Sequence, residues 1–171
     1  KRAIDLFPEQ PVPYMFAGIS SLQNKEYEVA IRYFNQCKNL IVDNDELLVN
    51  VFAFLGDTYD QVKNYALSDE SYDQALKIRY ENPYVLNNYS YYLSLRGEKL
   101  EKAEKMAKKA VEMNPDNSTY LDTYAWVLYK AGKYSEALVI QEKALKNKGA
   151  ENPVLLEHYG DMLYKLNRTV E

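Results

Sequence analysis

The sequence predicts an all-α fold built from a helix–turn–helix unit that recurs along the chain, and three observations carry that expectation. A small residue returns at near-constant intervals: Gly18, Gly56, Ser90, Ala125 and Gly160 are spaced by 38, 34, 35 and 35 residues (56 − 18, 90 − 56, 125 − 90, 160 − 125). Each small residue sits in a stretch with apolar residues at helical spacing, as in Leu121, Tyr124, Ala125 and Leu128. Each stretch is followed by a break and a second apolar stripe, as in "KAGKYS" at 130–135 and then Ala137, Ile140, Ala144 and Leu145. Self-similarity at such a period marks stacked units that cannot bury their apolar faces alone.

Taken in order, each unit has its own punctuation. The first, residues 11–48, turns on "QNKEY" without a glycine, and its long exit "NLIVDNDE" accounts for the 38-residue interval. The second, 49–82, turns on "QVKNY" and ends at Asn82-Pro83, an N-cap followed by proline at the first helical position. The third, 83–117, carries an extra residue in its turn, "RGEKLEKA" against "AGKYSEA". "MNPDNS" at 113–118 then ends a helix and offers Ser118 as the next cap. In the fourth, 118–152, Gly132 can close the first helix in a left-handed conformation. Asn152-Pro153 starts a last helix, 153–167.

Small residues at fixed places let paired backbones approach. The first helices supply the residues named above; the second helices supply Ala30, Ser68, Ala103 and Ala137, and seven residues on Cys37, Ala75, Ala110 and Ala144. Phe34, Tyr59, Tyr72 and Leu128 are the large residues that fill the remaining holes.

These residues resemble the tetratricopeptide repeat, or TPR, and "LDTYAWVLYKAGKYSEALVIQEKAL" fits its signature best. "YVLNNYSYYLSLRGEKLEKAEKMAKKAVEMNP" fits nearly as well, and the pair is similar to bacterial TPR proteins in particular. "AIDLFPEQP" matches the end of a second helix, with Ala3 and Pro8 in the alanine and proline places, so residues 1–10 are the tail of a preceding unit. The resemblance covers almost the whole chain, as one domain over 1–171. It departs at Gln141 and Ala107, where a large apolar residue is usual, and at Ser21, where an aromatic is. It implies a right-handed α-α superhelix with first helices lining a concave surface.

Composition narrows the function. The chain is 47% hydrophobic and 27% charged with a net charge of −4, an ordinary globular balance without the basic footprint of a nucleic-acid binder. "EKLEKAEKMAKK" alternates in sign, as a solvated helix face does. No apolar run is long enough to cross a membrane. The chain opens on Lys1 rather than methionine, which points to a segment of a longer protein and leaves bacterial cytoplasm or cell envelope undecided. One cysteine, Cys37, and one histidine, His158, support neither an internal disulfide nor a metal site, and no phosphate-binding glycine loop is present. Neither an enzyme nor a cofactor is expected. Cys37 is expected in the core, and His158 on the surface or in a groove, turned away from the packing stripe of Tyr159.

What remains is a binding face. By the resemblance, places 2, 5, 6, 9 and 12 of each first helix look onto the concave side. The candidate groove is therefore Phe54, Asp57, Asn87, Asn88, Tyr91, Asp122, Trp126, Tyr129, His158 and Asp161. Trp126 either anchors a ligand or packs across the curve onto Tyr91 and Asp161. Chaperone-binding TPR proteins clamp a peptide carboxylate with Lys, Asn and Arg at such places; only Asn88 matches, which argues against a clamp. Aromatic and acidic, the groove suits a basic or apolar protein segment whose backbone Asn87 and Asn88 could bond. The alternative is a spacer or self-association segment without a ligand. Leu155, Tyr159, Leu163 and Leu166 on the last helix are expected to lack a partner and to favour pairing with a second copy.

Overall fold

The computed structural model describes residues 2–149 and 151–168, and among them every regular element is helical. They form two compact units that part between Glu81 and Asn82, at a repeat boundary. Unit 1 holds α1 (Arg2–Leu6), α2 (Pro11–Gln23), α3 (Tyr27–Leu40), α4 (Asp45–Gln61) and α5 (Tyr65–Ile78). Unit 2 holds α6 (Pro83–Arg96), α7 (Leu100–Met113), α8 (Ser118–Lys130), α9 (Tyr134–Ala144), a π turn (Leu145–Gly149) and α10 (Pro153–Lys165). Each of α2, α4, α6 and α8 packs mainly on the helix that follows it, and α3 and α7 then pack on α4 and α8.

One turn serves every hairpin. Lys25 (φ 61°), Lys63 (φ 59°), Gly97 (φ 69°) and Gly132 (φ 80°) adopt the left-handed conformation at the same place. The next amide reaches back to close the helix: Glu26 to Ser21 at 2.8 Å, Asn64 to Tyr59 at 2.9 Å, Glu98 to Leu93 at 3.0 Å and Lys133 to Leu128 at 2.9 Å. Gly132 behaves as its sequence predicts, and two lysines take the same conformation without glycine. Asparagine side chains start the helices, with Asn44, Asn64, Asn82, Asn117 and Asn152 each accepting from an amide two or three residues on. Asn117, not Ser118, caps α8; Ser118 is its first helical residue.

Irregular spacing has local causes. From cap to small residue is eight positions in α6, α8 and α10 (90 − 82, 125 − 117, 160 − 152) but twelve in α4 (56 − 44). The four additional residues of the first interval are thus one more turn at the start of α4, and the exit is the short segment 41–44 rather than a long loop. The extra residue of the third unit is Lys99, left-handed (φ 47°) at the start of α7. That of the fourth falls at the π turn, which takes up one residue more than an α turn.

Small against large holds the hairpins. A Cβ on Gly18 would lie 2.5 Å from Phe34, and one on Gly56 2.7 Å from Tyr72, so both rings rest on bare backbone. In unit 2 the corresponding places hold Ser90 and Ala107, then Ala125 and Gln141, so a larger first-helix residue meets a side chain that is not an aromatic ring. All eight small second-helix residues are fully buried. Gly160 differs from Gly18 and Gly56: a Cβ there meets nothing within 4 Å. Burial also corrects the expectation for α10. Leu163 joins Ala125, Leu128 and Ala137 in one core cluster, and Leu155 packs with Leu121 and Ala144 in another, so both are buried within the chain.

Candidate functional site

In unit 2 the polar residues of the first helices converge at the junction of α8, α9 and α10. On α8, Asp122 and Trp126 stand one turn apart and share a face, with Tyr129 next along it. Asp122 is 6% exposed and its carboxylate faces α10, where His158 Nδ1 lies 2.9 and 3.1 Å from its two oxygens. A carboxylate only accepts, so Nδ1 carries the proton and donates to it. From α9 the fully buried Gln141 donates through Nε2 to Asp122 Oδ1 at 2.7 Å and to the Leu155 carbonyl at 2.8 Å. Asp122 therefore ties three helices together, and a departure from the repeat pattern is the linking piece.

The aromatic rings complete the junction. Trp126 stacks on His158 with centroids 4.0 Å apart and planes 17° apart, and on Tyr129 at 4.9 Å and 14°. Tyr129 meets Tyr134 at 5.3 Å, and Lys130 Nζ stands 5.7 Å from the Trp126 ring. Trp126 thus packs locally, but on His158 and Tyr129 rather than on Tyr91 and Asp161. His158 is 7% exposed, a buried stacking partner rather than a surface histidine. Burial pushes the Tyr91 hydroxyl to a higher pKa, and the charge of Asp122 adds to this. Tyr129 shifts the same way through burial and then Asp161, with Lys165 opposing.

The remaining candidates divide. Asn87 is buried and donates through Nδ2 to Asn88 Oδ1 at 3.1 Å, and Tyr91 is half-buried with its ring tilted on Tyr92. Asp161 is exposed, as are Glu157, Tyr84 and Tyr164 on the same helices. Phe54 and Asp57 belong to unit 1 and are described there. Phe54 stacks on Phe34 at 5.4 Å with planes 7° apart, and the buried Asp57 carboxylate accepts the Tyr72 hydroxyl. Asp57 and Asp122 thus serve internal bonds, so on the first helices of unit 2 (α6, α8 and α10) the carboxylates left facing solvent are Glu157 and Asp161. Gln141 was invisible as a site residue, although its place, usually apolar, is the signal that could have found it. Cys37 is fully buried as expected, and burial pushes its thiol to about 11. Among the described residues no three His, Cys, Asp or Glu side chains group as a metal site, and no helix is long and apolar enough to cross a membrane.

Comparison with known proteins agrees with the helix pairing. The family model for the tetratricopeptide repeat matches residues 49–82 and 85–117. No curated protein sequence matches the chain. Among solved structures, PilF of Pseudomonas aeruginosa is similar with a TM-score of 0.79 and 24% identity, over 92% of this chain and 69% of that one. MamA from Desulfovibrio magneticus RS-1 gives a TM-score of 0.74 at 15% identity, over 92% and 85%. YrrB, described as a TPR protein with an unusual peptide-binding site, gives 0.70 at 20% identity, over 98% and 84%.

Proposed function

This chain is a tetratricopeptide-repeat protein, a fold that serves generally as a non-catalytic scaffold for other proteins, and we propose that unit 2 holds an extended partner segment along α6, α8 and α10. The observation that carries this reading is the division of labour among the polar side chains. Asp122, Gln141 and His158 are consumed in joining helices, while Tyr84, Glu157, Asp161 and Tyr164 stay exposed on the first helices. Tyrosines give large contact area at low conformational cost, and the two exposed carboxylates favour a segment carrying Lys or Arg beside apolar residues. Binding by an acidic, tyrosine-bearing face needs no chemistry from the scaffold.

The spacer reading has one observation in its favour: Trp126, the natural anchor of such a face, is already occupied by His158 and Tyr129. A photo-crosslinking residue at position 91 or 164, with position 105 on the exposed outer side of α7 as control, separates the two. Partner adducts from 91 and 164 that disappear with Asp161→Lys support binding at this face. Adducts only from 105, or none, leave the spacer reading standing.

A further inference from the structure

Unit 2 contains the sole histidine of the chain, and its internal bonds use only one of the two ring nitrogens. Nδ1 is held on Asp122, and the ring lies on Trp126 at 4.0 Å. Bond and stack together fix the plane of the ring and the edge that it turns to the carboxylate. Both are made to α8, the preceding first helix, so the setting is complete within the chain. In the neutral ring, a proton on Nδ1 leaves the lone pair on Nε2, which accepts. Nε2 has no hydrogen-bond partner among the described residues and is not sealed from solvent. His158 is only 7% exposed, so this acceptor sits in a recess. A donor at the tip of a long side chain reaches it more readily than a backbone amide does.

A carboxylate stands one turn further along α10. Asp161 is three residues on from His158, on the same side of the helix. It is exposed and makes no hydrogen bond or ion pair among the described residues, with Lys130 and Lys165 included. Burial first, and then the Asp161 charge, raises the Tyr129 hydroxyl, so this charge acts on α8, where Tyr129 and Trp126 stack. A recessed acceptor and a rim carboxylate thus lie about one helical turn apart.

We propose that His158 Nε2 and the Asp161 carboxylate together receive an arginine side chain of the partner segment. This rests on the reading of unit 2 as a binding face and names the residue that the face selects. A guanidinium is flat and carries five N–H donors, so one edge donates to Nε2 while another meets the carboxylate in a charge-assisted bond. A lysine ammonium is a compact, strongly hydrated charge, and it gives up more water on entering beside stacked rings.

The test uses the 171-residue chain labelled with nitrogen-15, in which one histidine gives one set of ring signals. A long-range proton–nitrogen correlation spectrum should show Nδ1 protonated and Nε2 bare. A proton on Nε2 overturns the proposal. The probes are the capped pentapeptides ALRLA and ALKLA. The arginine peptide should shift the Nε2 signal saturably and bind about fivefold more tightly than the lysine peptide, and Asp161→Asn should remove about fivefold of that affinity. In His158→Asn the side-chain amide can keep the bond to Asp122 but offers nothing at the place of Nε2. Followed through Trp126 fluorescence, it should bind the two peptides equally. Equal binding of the peptides by wild type, no saturation, or an unchanged affinity in Asp161→Asn overturns the proposal. Crosslinked adducts at positions 91 and 164 that persist in His158→Asn leave the binding face standing and overturn the arginine site alone.

Discussion

The same substitution should change stability in opposite directions at matching places of the repeat. Gly18, Gly56 and Gly160 all lie within first helices, where alanine is favoured over glycine by about 1 kcal/mol. At Gly18 the new methyl would sit 2.5 Å from the Phe34 ring, and at Gly56 2.7 Å from that of Tyr72. Carbon atoms rest at about 3.5–4.0 Å, so either ring must retreat by roughly 1 Å. Both rings are fully buried, and Tyr72 is further held by its hydroxyl on Asp57. Overpacking of this kind costs about 1–3 kcal/mol, so after the propensity gain Gly18→Ala and Gly56→Ala should lose up to about 2 kcal/mol. Gly56→Ala should be the worse, since its ring is tethered. At Gly160 nothing lies within 4 Å, so only propensity acts and alanine should stabilise by up to about 1 kcal/mol. Urea denaturation followed at 222 nm measures all three. Gly56→Ala as stable as wild type, or Gly160→Ala destabilised to the same degree, would refute the packing argument.

Gly132→Ala should also destabilise, by about 1 kcal/mol, for a conformational reason alone: the residue has φ 80° with open space around it, and urea denaturation reads the loss. Asp122→Ala leaves His158 Nδ1 and Gln141 Nε2 without their buried acceptor and should cost a few kcal/mol. A double-mutant cycle with His158→Ala should show coupling of about 0.5–3 kcal/mol, and fluorescence of the sole tryptophan, Trp126, should change in either single variant. Additive energies with unchanged emission would dissolve the proposed junction. The Cys37 thiol, buried and raised from 9.0 to about 11, should resist thiol reagents at pH 8 until the protein unfolds. The raised pKa adds stability that is present below pH 9 and fades as pH rises through about 11, and Cys37→Ala should lack that part of the alkaline loss.

Most of the fold was legible because a repeat states its constraints several times over. Five small residues at near-equal spacing, a turn after each first helix and alanines at two places on each second helix all describe one hairpin. Where a position was read from one copy alone, the reading slipped. Asparagine and serine cap equally well, so "DNS" could not decide between Asn117 and Ser118. Four extra residues between Gly18 and Gly56 fit a loop or one more helical turn, and only the Asn44 cap ahead of α4 makes it a turn. The glycine at 160 copies the pattern of Gly18 and Gly56, yet the close approach that gives those two their reason is missing there.

The site was less legible because its contacts join residues 14 to 36 positions apart on three helices, and helical period says which face a side chain takes but not which neighbour it meets. Places 5 and 6 were read as groove-facing, yet Asp122 at one and His158 at the other are turned onto each other across adjacent repeats. Gln141 shows how such a link could be found from sequence. A buried amide at an apolar place needs acceptors for its N–H groups, since an unpaired one costs about 1–3 kcal/mol, and Gln141 Nε2 has two while its Oε1 has no partner among the described residues. Its nearest supply of acceptors is the polar face of the paired first helix, and Asp122 is the carboxylate one turn before Ala125, the small residue opposite Gln141. The departure from the pattern and the acid therefore predict one another. By the same logic Ala107, whose departure brings no polar group, should have no such counterpart, and Asn87, at the place Asp122 occupies one repeat later, donates through Nδ2 to its neighbour Asn88 instead.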